Sequence, residues 1–415
     1  MVTSEQKKVY KSILKEKKAI LNSATRKSKL TYFVTLLSGA VLGISLVIIG
    51  FILEENKIIR HGYFKYYTLL GFALLYLFFF LHIIIHEAGH LVFGLISGYR
   101  FLSFRIFSII FVKVDGHIVR KRYSLRGTAG QCLMYPPKRE YDGSFPFILY
   151  NLGGSIANLI FSVVFIIPII ITDNAIARTI YIAFSMAGIL TAATNLLPMN
   201  LGVQNDGMNL RRLLKDKYSQ ECFYLQLKIN ADLSDGKSIT DYSLDTFSIP
   251  EEADEKDLIV ASNYFYSYYW LLAKQYYESA YRYLLDMSER LSRFPVAAVN
   301  MIYAEQLFFA VLKRKPVEEI AALYSMVRFL FAGGKDNVAI RRIHYIYEAL
   351  LSEDEKQDIM TLIGRKGLMR WKQTDREKLY GDFVETVRNH PVLGEAEMHM
   401  SIVNYCMENY IKKSY

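Results

Sequence analysis

The feature that most constrains the fold is a set of long segments without charged residues. Four of them lie in the first half of the chain, at residues 30–53, 66–85, 145–172 and 179–205. A helix that crosses the hydrocarbon core of a bilayer needs about 20 predominantly apolar residues. The second segment continues, after a short polar cluster, as an apolar run to Tyr99. We therefore predict four transmembrane helices, followed by a soluble region from about Met208 onward.

The first apolar segment does not have the form of a cleavable signal. It follows about 29 mostly polar residues and is too long for a signal core, so we expect it to be retained. The cysteines are odd in number and widely separated, at Cys132, Cys222 and Cys406. This usage argues against a disulfide framework and is typical of a reducing compartment.

The distribution of basic residues predicts the orientation of the chain. Nine lysines and arginines precede the first span and nine lie between the second and third, whereas the other loops carry few. Loops rich in Lys and Arg stay in the cytoplasm. We therefore expect a multi-pass cell-membrane protein with its N-terminus, its large loop and its C-terminal half in the cytoplasm. Because much of the net charge of +10 lies beside the spans, we expect the lipid bilayer, and no nucleic acid, as its partner.

The polar cluster within the second span reads "HEAGH" and supplies His86, Glu87 and His90. Residues four apart on a helix share a face, so the two imidazoles can hold one Zn²⁺ while the glutamate acts on a zinc-activated water. The alternative is a buried histidine pair that is hydrogen-bonded to backbone or neighbours. His82, one turn earlier, either supports a ligand or is simply a polar residue, and it lies outside the predicted ligand set.

A catalytic zinc site needs a third protein ligand, and Asp206 is the candidate. It ends the uncharged run of the fourth span, in "NLLPMNLGVQNDG", and Gly207 follows it. His86 lies 13 residues before Tyr99, or roughly 20 Å along a helix, so Asp206 has to reach into the membrane. Pro198 would disrupt the helix and allow an irregular path inside the protein. The alternative is that Asp206 caps a new helix over residues 208–214.

These motifs together resemble a known family. "HEAGH" in one span and "NLLPMN…NDG" in a later one are similar to the motifs of the site-2 protease family of intramembrane zinc metalloproteases. The span between them contains "LYNLGGSIANLIF", in which Gly154 and Asn158 match the family's Gly-Pro-x-x-Asn segment. The resemblance covers about residues 69–214 and follows the order of the family's three core spans.

The resemblance implies a function. His86, His90 and Asp206 match the zinc ligands, and Glu87 matches the catalytic acid/base. The chain would then hydrolyse a peptide bond in a membrane-embedded or membrane-associated protein or peptide, with zinc as its cofactor. Asn158 would donate a hydrogen bond to substrate backbone or to the oxyanion. A helix–helix hydrogen bond is the alternative role for this residue.

Two residues and one spacing depart from the family's pattern. Ser155 stands where proline is usual, and Asn205 replaces an apolar residue before Asp-Gly. Seven residues separate Pro198 from Asp206, which is more than the common spacing. The last two departures bear on the path of the segment that carries the third ligand.

The large loop predicts a cytoplasmic β-hairpin. "FRIFSIIFVKVDGHIVRKRYS" contains two β-rich runs around Asp115-Gly116, a strong hairpin signal. An exposed strand edge there would pair with a substrate and hold it extended. The following "GTAGQCLMYPP" has glycine and proline at loop positions. Its Cys132 is either a nucleophile or a buried thiol, and the absence of a nearby histidine in sequence favours the buried thiol.

The C-terminal half has helical periodicity with aromatic and small residues on one face, as around Tyr277 and Ala280. We predict tetratricopeptide-like helical hairpins that fold independently, control substrate access and offer a surface for a cytoplasmic partner. The acidic "SIPEEADEKD" before them resembles a linker. The predicted organisation is a basic cytoplasmic segment (1–29), a membrane zinc metalloprotease domain (30–214), a connecting segment (215–253) and a cytoplasmic helical-repeat domain (254–415).

The fold class predicted from these features is α, a polytopic membrane helical bundle with a cytoplasmic β-hairpin loop and a C-terminal α-helical repeat domain. Two functions remain open. One is a zinc-dependent metalloendopeptidase, and the other is a non-proteolytic zinc-binding membrane scaffold, receptor or transporter subunit. Glu87 discriminates between them, because a structural zinc site needs no base beside its first ligand.

Overall fold

The structure is a computed structural model that describes residues 2–23, 64–114, 116–125, 127–198, 204–334, 336–364 and 376–411. The first predicted span, 30–53, lies outside these residues. Contacts divide the chain into two compact units. The apolar unit comprises Lys27–Phe107 and Thr128–Lys217, and the C-terminal unit comprises Met1–Arg26, Ser108–Gly127 and Tyr218–Tyr415.

Three long helices, α2 (Phe64–Ile96), α3 (Ile148–Ile171) and α4 (Ala175–Leu196), form the core of the apolar unit and pack against one another. All three are long and apolar enough to cross a membrane. Their outward faces carry large apolar side chains, among them Leu69, 72% exposed, and Ile170, 81% exposed. Surfaces of this kind are compatible with a membrane protein, because hydrocarbon solvates them better than water does. The second, third and fourth predicted spans are thus confirmed as helices.

Local sequence signals set the ends of α3 and α4. Asn174 caps α4, since its side-chain oxygen accepts hydrogen bonds from the amides of Ile176 and Ala177 at 3.0 and 3.1 Å. α4 ends at Leu196, two residues before Pro198, as expected for a chain that approaches proline. The two helices are joined by only three residues, so they lie side by side as neighbours.

Four strands lie between α2 and α3, namely β1 (Arg100–Ile106), β2 (Ile109–Val114), β3 (His117–Arg122) and β4 (Gly130–Tyr135). In the apolar unit β1 and β4 are antiparallel, with Arg100 opposite Tyr135. In the C-terminal unit β2 and β3 form the predicted hairpin, in which Val114 pairs with His117 and Gly116 has a φ of +82°. The hairpin is confirmed. The glycine-containing segment read as loop instead contains β4.

The helices of the rest of the chain are short, and most belong to the C-terminal unit. They are α1 (residues 4–23), α5 (Asp206–Lys215, in the apolar unit), α6 (Lys217–Ser234), α7 (Leu258–Ala273), α8 (Tyr277–Glu289), α9 (Val296–Leu312), α10 (Val317–Gly333), α11 (Val338–Leu350), α12 (Glu353–Ile363), α13 (Arg376–Asn389) and α14 (Leu393–Cys406). α7 packs on α8, and α9 packs on α10. α9 also contacts α11, and α10 contacts α12. Their tetratricopeptide-like character stays a prediction.

Segments that the sequence presents as peripheral are packed into the C-terminal unit. Tyr10 of α1 is buried, and its hydroxyl lies 3.0 Å from Ser325 Oγ. The predicted connecting segment contains α6. The acidic stretch is not a loose linker, because its Asp257 is fully buried and accepts a hydrogen bond from Ser219 Oγ at 3.0 Å. The N-terminal segment, the hairpin and the C-terminal helices therefore share one unit.

Candidate metal centre

Three predicted ligands meet in the apolar unit. His86 Nε2 and His90 Nε2, on one face of α2, lie 3.1 Å apart. Asp206 Oδ2, from the first residue of α5, lies 3.0 Å from His86 Nε2 and 3.2 Å from His90 Nε2. Both histidines are buried and the aspartate is partly buried. The structure therefore brings together residues that are 120 positions apart in the chain.

Asn205 places the third member of this cluster. Its side-chain oxygen accepts a hydrogen bond from the amide of Met208 at 3.0 Å and so caps α5. Its side-chain nitrogen donates to the carbonyls of Thr194 and Leu197 at 2.7 and 2.6 Å, at the end of α4. The alternative in which Asp206 itself caps the helix is wrong, because Asn205 takes that role and leaves the aspartate free to face the histidines.

Asp206 reaches the histidines because α4 is short. α2 continues ten residues beyond His86, to Ile96, whereas α4 stops at Leu196. α5 then packs against α3 and α4. Gly207 permits this, since a Cβ at that position would overlap the carbonyl of Leu196. α5 thus begins at a level where α2 is still helical.

The hydrogen bond of His90 to Tyr150 fixes its tautomer. His90 Nδ1 lies 2.7 Å from the carbonyl oxygen of Tyr150, which can only accept, so Nδ1 carries the proton. The neutral ring then directs the lone pair of Nε2 towards Asp206 Oδ2, which is also an acceptor. A positive charge, either a proton or a metal ion, is required between these two atoms.

The donor set fits a divalent metal ion. Two ligand atoms bound to a tetrahedral zinc at about 2.0–2.1 Å are about 3.3 Å apart. The separations in this cluster, 3.0 to 3.2 Å, are close to that value. Two imidazoles and a carboxylate suit zinc and its neighbours among the divalent metals. Three protein ligands leave the fourth position of a tetrahedron for a reactant.

Glu87 lies beside the cluster and against β4. Its side chain is 8% exposed, and a Cβ at Gly130 would overlap its carboxylate. As the residue after His86, it lies about 100° further around the helix and so beside the face that His86 shares with His90. The strand backbone at Gly130 therefore lines the site on the side of the predicted base.

Arg105 holds that strand in place. Its guanidinium donates to the carbonyls of Phe107 at 2.8 Å and Gly130 at 3.1 Å, and it also bonds Thr128 Oγ1. Arg105 is one of the nine basic residues between the second and third predicted spans, yet it is only 1% exposed. The sequence analysis missed this residue as a support of the site. Its position inside the apolar run "FLSFRIF" was the available signal, because an arginine is buried there only with partners.

Asn158 and His82 lie behind the ligands. The amide of Asn158 is fully buried, 2.9 Å from His82 Nδ1 and 3.3 Å from His86 Nδ1. His82 Nε2 in turn lies 3.1 Å from the carbonyl of Phe184 on α4. Asn158 therefore makes contacts between α2 and α3, and its contact with substrate or oxyanion stays a prediction.

Cys132 is a buried thiol, as expected. It lies in β4 and is 6% exposed. Burial raises the pKa of its thiol far above the ordinary value, and the charge of Glu87 adds to the rise. Because the thiolate is the reactive form, this cysteine is unsuited to act as a nucleophile.

A scan against protein-family models finds no match, and neither a curated protein nor a solved structure matches the chain significantly. The resemblance to site-2 proteases therefore rests on the motif residues. The site's own geometry is the basis for the function proposed below.

Proposed function

We propose that the chain is an intramembrane zinc metalloprotease of the site-2 protease type, which cleaves a membrane-embedded or membrane-associated protein or peptide. One observation carries the proposal. His86, His90 and Asp206 converge with two acceptor atoms facing each other, and a glutamate stands directly beside the first ligand. A metal ion satisfies the acceptors, and the adjacent carboxylate supplies the base that hydrolysis needs.

In this proposal His86, His90 and Asp206 hold the zinc. When bound, zinc polarises a carbonyl group and makes water acidic enough to lose a proton near neutral pH. Glu87 accepts that proton and later gives it to the leaving amine, so the carboxylate returns to its starting state. Its burial against β4 keeps it within the site and limits its access to bulk water.

The backbone of β4 offers a place for an extended substrate. β4 pairs with β1 and is a terminal strand of its sheet. It begins at Gly130, against Glu87. A peptide bond in a helix is shielded by its own turn, so cleavage requires local unwinding. A strand edge next to the base supports an extended peptide by backbone hydrogen bonds.

The scaffold alternative also accounts for a metal, but it gives no role to Glu87. Burial of a carboxylate in an apolar bundle costs free energy unless the carboxylate has a partner. Such residues usually mark a functional site. A structural site is usually closed by four protein ligands, whereas the described part of the chain supplies three here. Both features favour catalysis.

Contacts within the C-terminal unit support the four-span topology. Tyr10 of α1 contacts Ser325, and Lys121 of the hairpin donates to the carbonyl of His390 at 2.8 Å. In this proposal the N-terminus, the hairpin and the C-terminal helices, which share one unit, lie on one side of the membrane. This agrees with the topology predicted from the sequence, in which the basic residues make the shared side the cytoplasm.

We also propose that the C-terminal helices influence substrate access. They hold the hairpin through Lys121 and through Asp336, whose carboxylate accepts from the amide of Ser124 at 3.0 Å. The hairpin is joined by two residues to β1, the strand that contains Arg105. In the proposed protein a partner bound to these helices would act through this connection. Deletion from residue 248 onward should then change cleavage of a membrane substrate and of an unfolded peptide by different factors.

The test compares cells that produce the wild-type chain, Glu87→Gln and the exposed control Glu252→Gln. New N-termini of membrane proteins are identified by mass spectrometry, and zinc is measured in the purified chains. We expect new termini in or beside transmembrane segments with the wild type and the control, but none with Glu87→Gln, which keeps its zinc. Identical termini in all three, with zinc present, would favour the scaffold.

A further inference from the structure

A series of buried hydrogen-bonding groups connects α4 with the predicted metal ligands. It starts at the carbonyl of Phe184, passes through both ring nitrogens of His82 and the amide of Asn158, and ends at His86 Nδ1. His82 and Asn158 are both fully buried. The proposed mechanism gives no role to His82, yet an ionisable ring in an apolar bundle is costly to keep.

The direction of each hydrogen bond in this series follows from its fixed end. The Phe184 carbonyl can only accept, so His82 Nε2 carries a proton and donates. In a neutral ring His82 Nδ1 then holds a lone pair and must accept. The group of Asn158 that faces His82 is therefore the NH₂, and its oxygen faces His86.

The opposite direction of the amide leads to a conflict. The structure has Oδ1 towards His82 and Nδ2 towards His86. In that arrangement the NH₂ group would donate to His86 Nδ1, so the lone pair of His86 would lie on Nδ1. The proton would then sit on Nε2, which lies 3.0 Å from Asp206 Oδ2 and could not bind a metal. The two ends of the amide are nearly equal in size, so rotation by 180° keeps both contacts and removes the conflict.

We propose that His82 and Asn158 are positioning residues that hold His86 in the tautomer that binds metal. The Phe184 carbonyl orients His82, His82 orients the amide of Asn158, and that amide accepts the proton of His86 Nδ1. His86 Nε2 is thereby left with its lone pair directed at the cluster. The inference rests on the metal site proposed above.

The packing around His82 is suited to this role. On α4 Gly188 stands against the His82 ring, since a Cβ there would lie 2.9 Å from Nε2 and still closer to Cε1. Glycine at this position therefore leaves room for the ring where it reaches both Phe184 and Asn158. A partner that orients a ligating histidine typically contributes about 10- to 100-fold to metal affinity.

A double-mutant cycle on the full-length chain tests the proposal. Zinc affinity is measured by chelator competition for the wild type, His82→Phe, Asn158→Leu and the double variant. Each single change should weaken zinc by about 10- to 100-fold, and the double variant should be no weaker than Asn158→Leu. Thr191→Val is the matched control, because it removes a buried hydrogen bond on α4, to the Ala187 carbonyl, that has no connection to His86.

Two further measurements decide the case if a variant folds poorly. In the wild-type zinc form, ¹⁵N-histidine NMR should show His86 protonated at Nδ1 and His82 at Nε2. Asn158→Asp, whose carboxylate accepts from His86 without help, should keep its zinc affinity and become insensitive to His82→Phe. Additive losses, unchanged affinities, or the opposite tautomers would overturn the relay. Absence of zinc binding by the wild type would instead overturn the metal site itself.

Discussion

Gly154 of α3 lies directly against the imidazole of His86. A Cβ at position 154 would be 2.5 Å from His86 Cε1, 2.6 Å from Nδ1 and 2.7 Å from Nε2. Real side chains do not approach this closely, so a larger residue must displace the ring. The glycine that matches the family motif therefore has a steric role in placing the first ligand.

This contact predicts the effect of Gly154→Ala. Because the ring must move, we expect zinc affinity, measured by chelator competition, to fall by at least about tenfold. Gly71→Ala in α2 is the control, since its added Cβ would make only an ordinary contact of 3.8 Å with Thr179. Equal zinc affinities of the two variants would contradict the placement of His86.

The second prediction concerns Arg105 and separates catalysis from metal binding. Arg105→Met removes the donors that hold Phe107 and Gly130 but leaves the three ligands untouched. Since Gly130 lines the site beside Glu87, we expect kcat to fall by about 10- to 100-fold. The zinc content should stay at the wild-type level. Loss of zinc in this variant would show that β4 supports the ligands rather than the base.

The third prediction is topological. The native cysteines are buried, so single cysteines at exposed Lys8, Asp173 and Glu252 report on the two sides of the membrane. In intact cells an impermeant reagent should label Asp173→Cys alone. Lys8→Cys and Glu252→Cys should react only after permeabilisation. Labelling of Lys8→Cys and Glu252→Cys from opposite sides would contradict the four-span arrangement.

The fourth prediction uses His344 in the C-terminal unit. Burial, together with the charge of Arg341, lowers the pKa of this histidine to about 4, although the charge of Asp382 opposes the shift. The unfolded chain, with a pKa near 6.5, therefore takes up the proton first as pH falls. The contribution of neutral His344 to the free energy of unfolding is fully present above about pH 6.5 and decreases as pH falls towards 4. At pH 5 the loss is about 2 kcal/mol.

The matched variant for this effect is His344→Phe, which retains the ring stacked on Phe331 at 4.6 Å. Its thermal stability should change less between pH 7.5 and pH 5 than that of the wild type. Parallel pH profiles for the two proteins would show that the pKa of His344 is the same in the folded and unfolded chains.

Several elements could be predicted because their signals are local. The uncharged runs predicted α2, α3 and α4, and the Asp-Gly pair predicted the hairpin. The spacing of His86 and His90 required only that α2 be helical. Asp206 was predicted by its position at the end of an apolar run, and the structure brings it to the histidines.

Other features depend on contacts between distant residues and gave weak local signals. β4 starts at a glycine within a loop-like composition, and pairing with β1 makes it a strand. Asn205 reads as an ordinary polar residue, yet it joins the end of α4 to the start of α5. Tyr10 belongs to a basic amphipathic segment whose burial depends on helices some 300 residues later.

The central claim is that His86, His90 and Asp206 bind one catalytic metal ion. Metal analysis of the purified full-length chain, alongside Asp206→Ala and the exposed control Asp235→Ala, tests it most directly. We expect one zinc per chain in the wild type and in the control, and a clear loss in Asp206→Ala. A wild-type chain without bound metal, or an Asp206→Ala variant with full zinc occupancy, would contradict the account.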